Sequence, residues 1–478
     1  MKFGITETLG RFAAETSVVQ IPSAAFDSAR LKFLDTLAVA IAGSRHRSSI
    51  ISFDVVKQLG GNPSCTVVGR AERVSVEHAG YLNAVSAHAL EYDDYTKGVT
   101  HASVCLVPGA LALAEWLGVS GKAMLDAFVF GFEIESRIAR GMRPWLLDRG
   151  WHPNGILGGI GVAVIGSRLM GLDQLGLRMA ISIAASEGSG LRKNVGSMGK
   201  AFHVGHGVRC GVFAAMLAAK GFKVDPDIIE GKDDGIEGHD RFGLADTFNG
   251  IGNHDLGKMV ERLGERWELA ENTTNVRLHP GSTAPGAAID GMIDLAKQHD
   301  LHPVDVKKIE LECTPQCLAI ASYPTASDSH KARFCLPYSM AVSLIDRHAG
   351  IAQYTEERVN RVDVQSLMKC VTVSVPEDFA YHRGQWGQAG VNWGIMRLSV
   401  ILKNGKTVST ERTTARGWSE NPATWDDLAE KFRECSEHVL SAAQTNEALD
   451  MIRHIDQLPS LAPLLCALQA DFEGKALY

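Results

Sequence analysis

Glu91, Asp93, Asp94, Lys97 and His101 fall within eleven residues of the segment running from Ser86 to Ser103. Two kinds of acid, an amine and an imidazole are costly to bury together unless they pair or do chemistry. An apolar run from Val104 to Leu117 follows at once. Loops carried on rigid helices are where catalytic groups concentrate. The segment therefore reads as an active-site loop, with a solvated acidic loop and a capping histidine as the alternative. An imidazole titrates near neutral pH, so His101 is the first choice for a general acid or base, with Asp93 or Asp94 orienting it. Lys97 serves as a second acid or base if its surroundings desolvate it.

Three other places hold basic and imidazole groups. His152, in Gly150 to Gly155, stands just ahead of a helix start. The free N–H groups and partial positive charge there favour a carboxylate. A capping turn with a surface histidine is the alternative. Lys200, His203, His206 and Arg209 lie in the next cluster, with the last two spaced as helix neighbours; a polar helix face would look the same. Arg277 and His279 sit where a helical part gives way to an α+β part, and such junctions favour small-ligand sites. An interdomain salt bridge is the alternative there.

The elements that must carry these groups are mostly helical. Ser28 to Ala42 is apolar at helical spacing and stops at Gly43. His88 ends an alanine-rich helix begun near Val76. Ser120 caps a helix reaching about Arg140. Asn154 to Leu169 carries five glycines; at that density they cost helix propensity and imply close helix–helix approach. Val208 to Lys220 is a further helix. Beyond about residue 270 the pattern changes: Lys307 to Cys313, Cys370 to Val375 and Met396 to Leu402 read as strands. Asn404-Gly405 reads as a hairpin turn into Thr407 to Glu411. Helices return over Trp425 to Ala442, Thr445 to Gln457 and from Leu458. The fold class is mainly α: a large all-helical domain (1–270, completed by 414–478) and a smaller α+β lid (271–413).

Composition excludes several functions. A net charge of −7 gives no electrostatic footprint for nucleic acid or an anionic membrane. No run of 18 apolar residues suggests a membrane span. Nine cysteines without paired spacing point to reduced thiols and a cytoplasmic protein. Gly159-x-Gly161 lacks the third glycine of a dinucleotide fingerprint, and Gly199-Lys200 lacks the upstream glycine of a P-loop.

Four ordered motifs resemble the MmgE/PrpD family, which includes 2-methylcitrate dehydratase, cis-aconitate decarboxylase and iminodisuccinate epimerase. They are HALEYDD with the following THAS, WHPNGILGGIGVAVIGSRLMGL, KAFHVGHGVRCGVFAAMLAAKGF and HKARFCLPYSMAVSLID. The resemblance implies the two-domain architecture above, a homodimer, no metal or other cofactor, and an interdomain site for small di- or tricarboxylates. It implies catalytic roles for His101, His152 and Tyr338, to which the chemistry of the loop adds Asp93 and Lys97. It implies substrate contacts at Glu91, Tyr95, Arg209 and Arg277, and the charged and imidazole clusters above add Asp94, Lys200, His203 and His279 as expected substrate contacts. Decarboxylase-like members carry Asp where Glu91 stands, Thr at Tyr95, and Lys at Arg209 and Arg277. These departures point away from cis-aconitate decarboxylation itself. The expected activity is a lyase forming a carbanion next to a carboxylate, first a dehydratase of a hydroxylated di- or tricarboxylate. Epimerisation of a substituted succinate and decarboxylation remain open, as does a non-catalytic carboxylate-binding dimer.

Overall fold

The computed structural model describes residues 4–96, 101–143, 145–232, 241–271, 273–281, 285–379, 394–471 and 476–478. The protein is mainly helical and divides into two compact units. One comprises Met1–Ala89, Asp93–Thr274 and Cys435–Ala476; the other comprises Leu90–Tyr92, Asn275–Glu434 and Leu477–Tyr478. No helix among the described residues is long and apolar enough to cross a membrane.

The first unit is built around the glycine-rich helix Pro153–Leu169. It packs against Ser103–Leu117, Gly121–Met142, Gln174–Ser186 and Met198–Ala219. Its glycines have the packing purpose their density implies. A β-carbon on Gly159 would lie 2.9 Å from the Gly207 carbonyl oxygen, and one on Gly211 would collide with the Gly159 carbonyl. Backbone therefore rests on backbone where these two helices cross. Ser120 caps its helix as expected, accepting from the Ala123 N–H. The helix expected from Val208 begins ten residues earlier, at Met198, behind a Ser197 cap. Glycines and polar residues between 199 and 209 mask the helical period there, and burial against neighbours overrides their weak propensity.

The second unit holds a four-stranded sheet in the order Thr407–Arg412, Met396–Leu402, Val306–Cys313, Val371–Ser374. The first three strands pair antiparallel and the last pair is parallel. Met396, Leu398, Val400 and Leu402 alternate inward along their strand and join a core shared with helices Gly286–Gln298 and Leu336–Asp346. Gly405, at φ 87°, supplies the left-handed turn of the expected hairpin.

Sequence patterning returns the chain to the helical part at residue 414, but it stays with the second unit to Glu434. Lys431, on the Trp425–Ser436 helix, anchors it there. Its ammonium donates to the carbonyls of Tyr92 and Arg277 and lies 3.9 Å from the centre of the Tyr92 ring. The break after Ser436, where an unbroken helix to Ala442 is expected, precedes a capping box formed by Ser441 and Gln444.

Candidate active site

Four imidazoles line up in the first unit, each delivered by a helix end. His88 is the last residue of Val76–His88, and His101 stands two residues before Ser103–Leu117. His152 is the N-cap of Pro153–Leu169, and His203 lies in the second turn of Met198–Ala219. The His88 ring centre is 4.9 Å from that of His101 and 6.0 Å from that of His152, with which it stacks. The row ends at His203, whose Nδ1 is 3.3 Å from Nδ1 of His152.

Asp93 orients one end of this row. Nδ1 of His101 lies 2.7 Å from Asp93 Oδ2 and 2.9 Å from the Asp94 carbonyl oxygen. Two acceptors at Nδ1 place the proton there, so acid–base exchange falls to Nε2. Asn154 clamps the His101 backbone by donating to its carbonyl at 2.8 Å. The other Asp93 oxygen, Oδ1, is 3.1 Å from Nδ1 of His88, off the line of a good hydrogen bond.

Burial and charge then separate the imidazoles. His88 is completely buried, which pushes its pKa down to about 4 against the opposing pull of Asp93; Lys200 and His101 push the same way as burial. His152 is held well below the usual histidine range by burial, then by Lys200 and the other three histidines. His203 is lowered by burial and by His206. The buried Lys200 is thus the cation whose field reaches both inner imidazoles. Tyr95 is half-buried, its ring 6.2 Å from that of His101.

Several expected contacts turn out differently. Asp94, expected to touch substrate, is instead an anchor: its Oδ2 forms a buried ion pair with Lys32 at 3.1 Å and accepts from Ser103 Oγ at 2.8 Å. Arg209 is exposed beside His206, apart from the histidine row. Lys97 lies outside the described residues.

In the second unit, Arg277 and Glu91 meet each other. Arg277 Nη1 donates to the carbonyls of Gly281 and Glu91 and lies 3.3 Å from Glu91 Oε2. Glu91 adopts φ 53°, a left-handed conformation that is uncommon for a residue with a side chain. His279, expected to touch substrate, has both ring nitrogens engaged within the protein, 3.0 Å from Asp290 Oδ1 and 3.0 Å from the Ala349 carbonyl. Tyr338, expected to donate a proton, is buried, gives its hydroxyl hydrogen to the Gln353 carbonyl and packs edge-on against Tyr354. Burial raises its pKa further from the working range.

His88 is a residue of the candidate site that sequence reasoning left out. Its signal was present, a polar residue ending an alanine-rich helix five positions before Asp93, but a lone histidine on an apolar face reads as core.

Residues 7–239 match the model of the MmgE/PrpD N-terminal domain, and residues 279–457 match that of the MmgE/PrpD C-terminal domain. The chain belongs to the MmgE/PrpD family. Its similarity to characterised members runs end to end. It is 24% identical to cis-aconitate decarboxylase of Homo sapiens, over 97% of this chain and 94% of that one. It is likewise 24% identical to cis-aconitate decarboxylase of Aspergillus terreus (strain NIH 2624 / FGSC A1156), over 97% and 96% of the two chains. Both relatives carry the name of a decarboxylase, and the family itself is what the two domain matches establish for this chain.

Proposed function

We propose that this family member forms a carbanion next to a carboxylate and expels water from a small hydroxylated di- or tricarboxylate. The observation that carries the reading is the Asp93–His101 pair beside an inner imidazole, His152, held unprotonated. His101 Nε2 takes the proton from the carbon alpha to the carboxylate. Asp93 steadies the imidazolium that results, as a buried carboxylate does in other acid–base pairs. The electron pair left behind forms the carbon–carbon double bond as the neighbouring C–O bond breaks. His152 donates a hydrogen bond to the departing oxygen, which takes up the proton now held on His101 Nε2 and leaves as water, returning His101 to its neutral form. Lys200 supplies the positive charge that the developing dianionic carboxylate needs.

A second reading, loss of CO2 from a cis-aconitate-like acid, is favoured by the name carried by the full-length relatives. In that reaction the same carbanion forms by C–C cleavage and His101 returns a proton to it. Glu91, Tyr95 and Arg277, where decarboxylases of the family resemblance carry Asp, Thr and Lys, support the dehydratase reading over this one. We also propose a homodimer. Leu191, Val195, Met198, Phe202 and Phe213 keep large apolar side chains exposed within one short stretch, as a surface awaiting a partner does. The mass in solution tests it.

The reaction is tested by product analysis with citrate, methylcitrate and cis-aconitate. An unsaturated acid from a hydroxylated substrate, without CO2, supports dehydration. Release of CO2 from cis-aconitate with no action on the hydroxylated acids overturns it in favour of the second reading.

A further inference from the structure

A second group of metal-ligating side chains stands apart from the histidine row: Glu187, His206 and Cys210, all in the first unit. His206 and Cys210 are four residues apart on Met198–Ala219 and so share a helix face. Glu187 directly follows the Gln174–Ser186 helix, which packs against it. Cys210 Sγ lies 3.4 Å from His206 Nε2 and 3.1 Å from Glu187 Oε2. A tetrahedral zinc ion, with Zn–S near 2.3 Å and Zn–N and Zn–O near 2.0–2.2 Å, sets its sulfur about 3.5 Å from the neighbouring N and O ligands. The three donors therefore stand at nearly ligand spacing.

The surroundings fit such a role. Phe202 stacks on His206 with ring centres 5.9 Å apart and an interplanar angle of 19°, which restricts the imidazole. Cys210 is buried, His206 half-buried and Glu187 exposed, so the triangle opens towards solvent. We propose that Glu187, His206 and Cys210 bind one zinc-class divalent cation, leaving its fourth position to water or a small exogenous ligand.

Without a cation, burial and the hydrogen bond to Glu187 push the Cys210 thiol up to about 12, so it remains S–H. Binding breaks that S–H bond, forms a metal–sulfur bond and releases the proton to solvent. Arg209 opposes binding. Its Nη2 lies 3.3 Å from His206 Nδ1, and donation there puts the ring proton on Nε2, the nitrogen a metal needs. Arg209 is exposed and can turn away, so its removal favours the ion.

The test uses the full chain stripped with a chelator, then titrated with Co(II) followed by absorbance and with Zn(II) followed by calorimetry. The expected result is one ion per chain, a thiolate-to-cobalt charge-transfer band and proton release. Cys210→Ser removes the band. Glu187→Gln, at an exposed position that leaves folding intact, weakens binding by about tenfold or more. Arg209→Ala tightens it. The proposal is overturned if no saturable binding occurs, or if Cys210→Ser and Glu187→Gln bind as the parent does. It is also overturned if binding is lost only in Asp93→Asn, which assigns the ion to His88, Asp93 and His101.

Discussion

Asp93 and Asp94, adjacent in the chain, hold opposite commitments: Asp93 faces the imidazoles of His101 and His88, while Asp94 faces the ammonium of Lys32 and the hydroxyl of Ser103. One carboxylate orients the imidazole row and the other fixes the loop that presents it. Their variants should therefore part company. Asp93→Asn lowers turnover by about two to four orders of magnitude, the usual worth of a positioned acid–base system, with little change in melting temperature. Asp94→Asn costs about 3–5 kcal/mol of stability, because it strands a buried Lys32 charge. Denaturant titration and steady-state kinetics on both variants check the contrast.

Stability should fall on acidification through a window set by His88. Its folded pKa is near 4 and a free histidine titrates near 6.5. Between these values the unfolded chain binds the extra proton, so stability is fully present above about pH 6.5 and is lost as pH drops towards 4. The contribution is about 3 kcal/mol. Denaturant midpoints measured across this range should show the loss, and His88→Gln should flatten it.

The crossing of Pro153–Leu169 with Met198–Ala219 tolerates no added carbon. Gly211→Ala should destabilise by about 1–3 kcal/mol or more, since neither backbone can yield without moving a helix that carries a site histidine. An equal or higher melting temperature in this variant would contradict the packing described.

Much of this architecture is legible in the residues, for identifiable reasons. Helices such as Ser103–Leu117 and strands such as Met396–Leu402 follow from strong apolar periodicity, and Ser120 marks its own cap. The site is legible where charge is dense, as in Asp93 and His101. It is hidden where partners come from distant segments. Nothing near Asp94 in sequence announces Lys32, sixty-two positions earlier. His279 and Tyr338 look like chemistry by type, yet their hydrogen bonds to Asp290, Ala349 and Gln353 engage them in structure. The start of Met198–Ala219 is obscured because glycines needed for backbone contact erase the helical signal.

The most direct test of carbanion chemistry at His101 is solvent exchange followed by NMR in deuterated buffer, with methylcitrate, citrate, cis-aconitate, itaconate and N-substituted succinates. The account predicts deuterium at a carbon alpha to a carboxylate in at least one compound. It also predicts a loss of that exchange by about two to four orders of magnitude in a folded His101→Ala variant. Exchange that proceeds at the parent rate in His101→Ala, or no exchange in any compound by the folded parent, would contradict it.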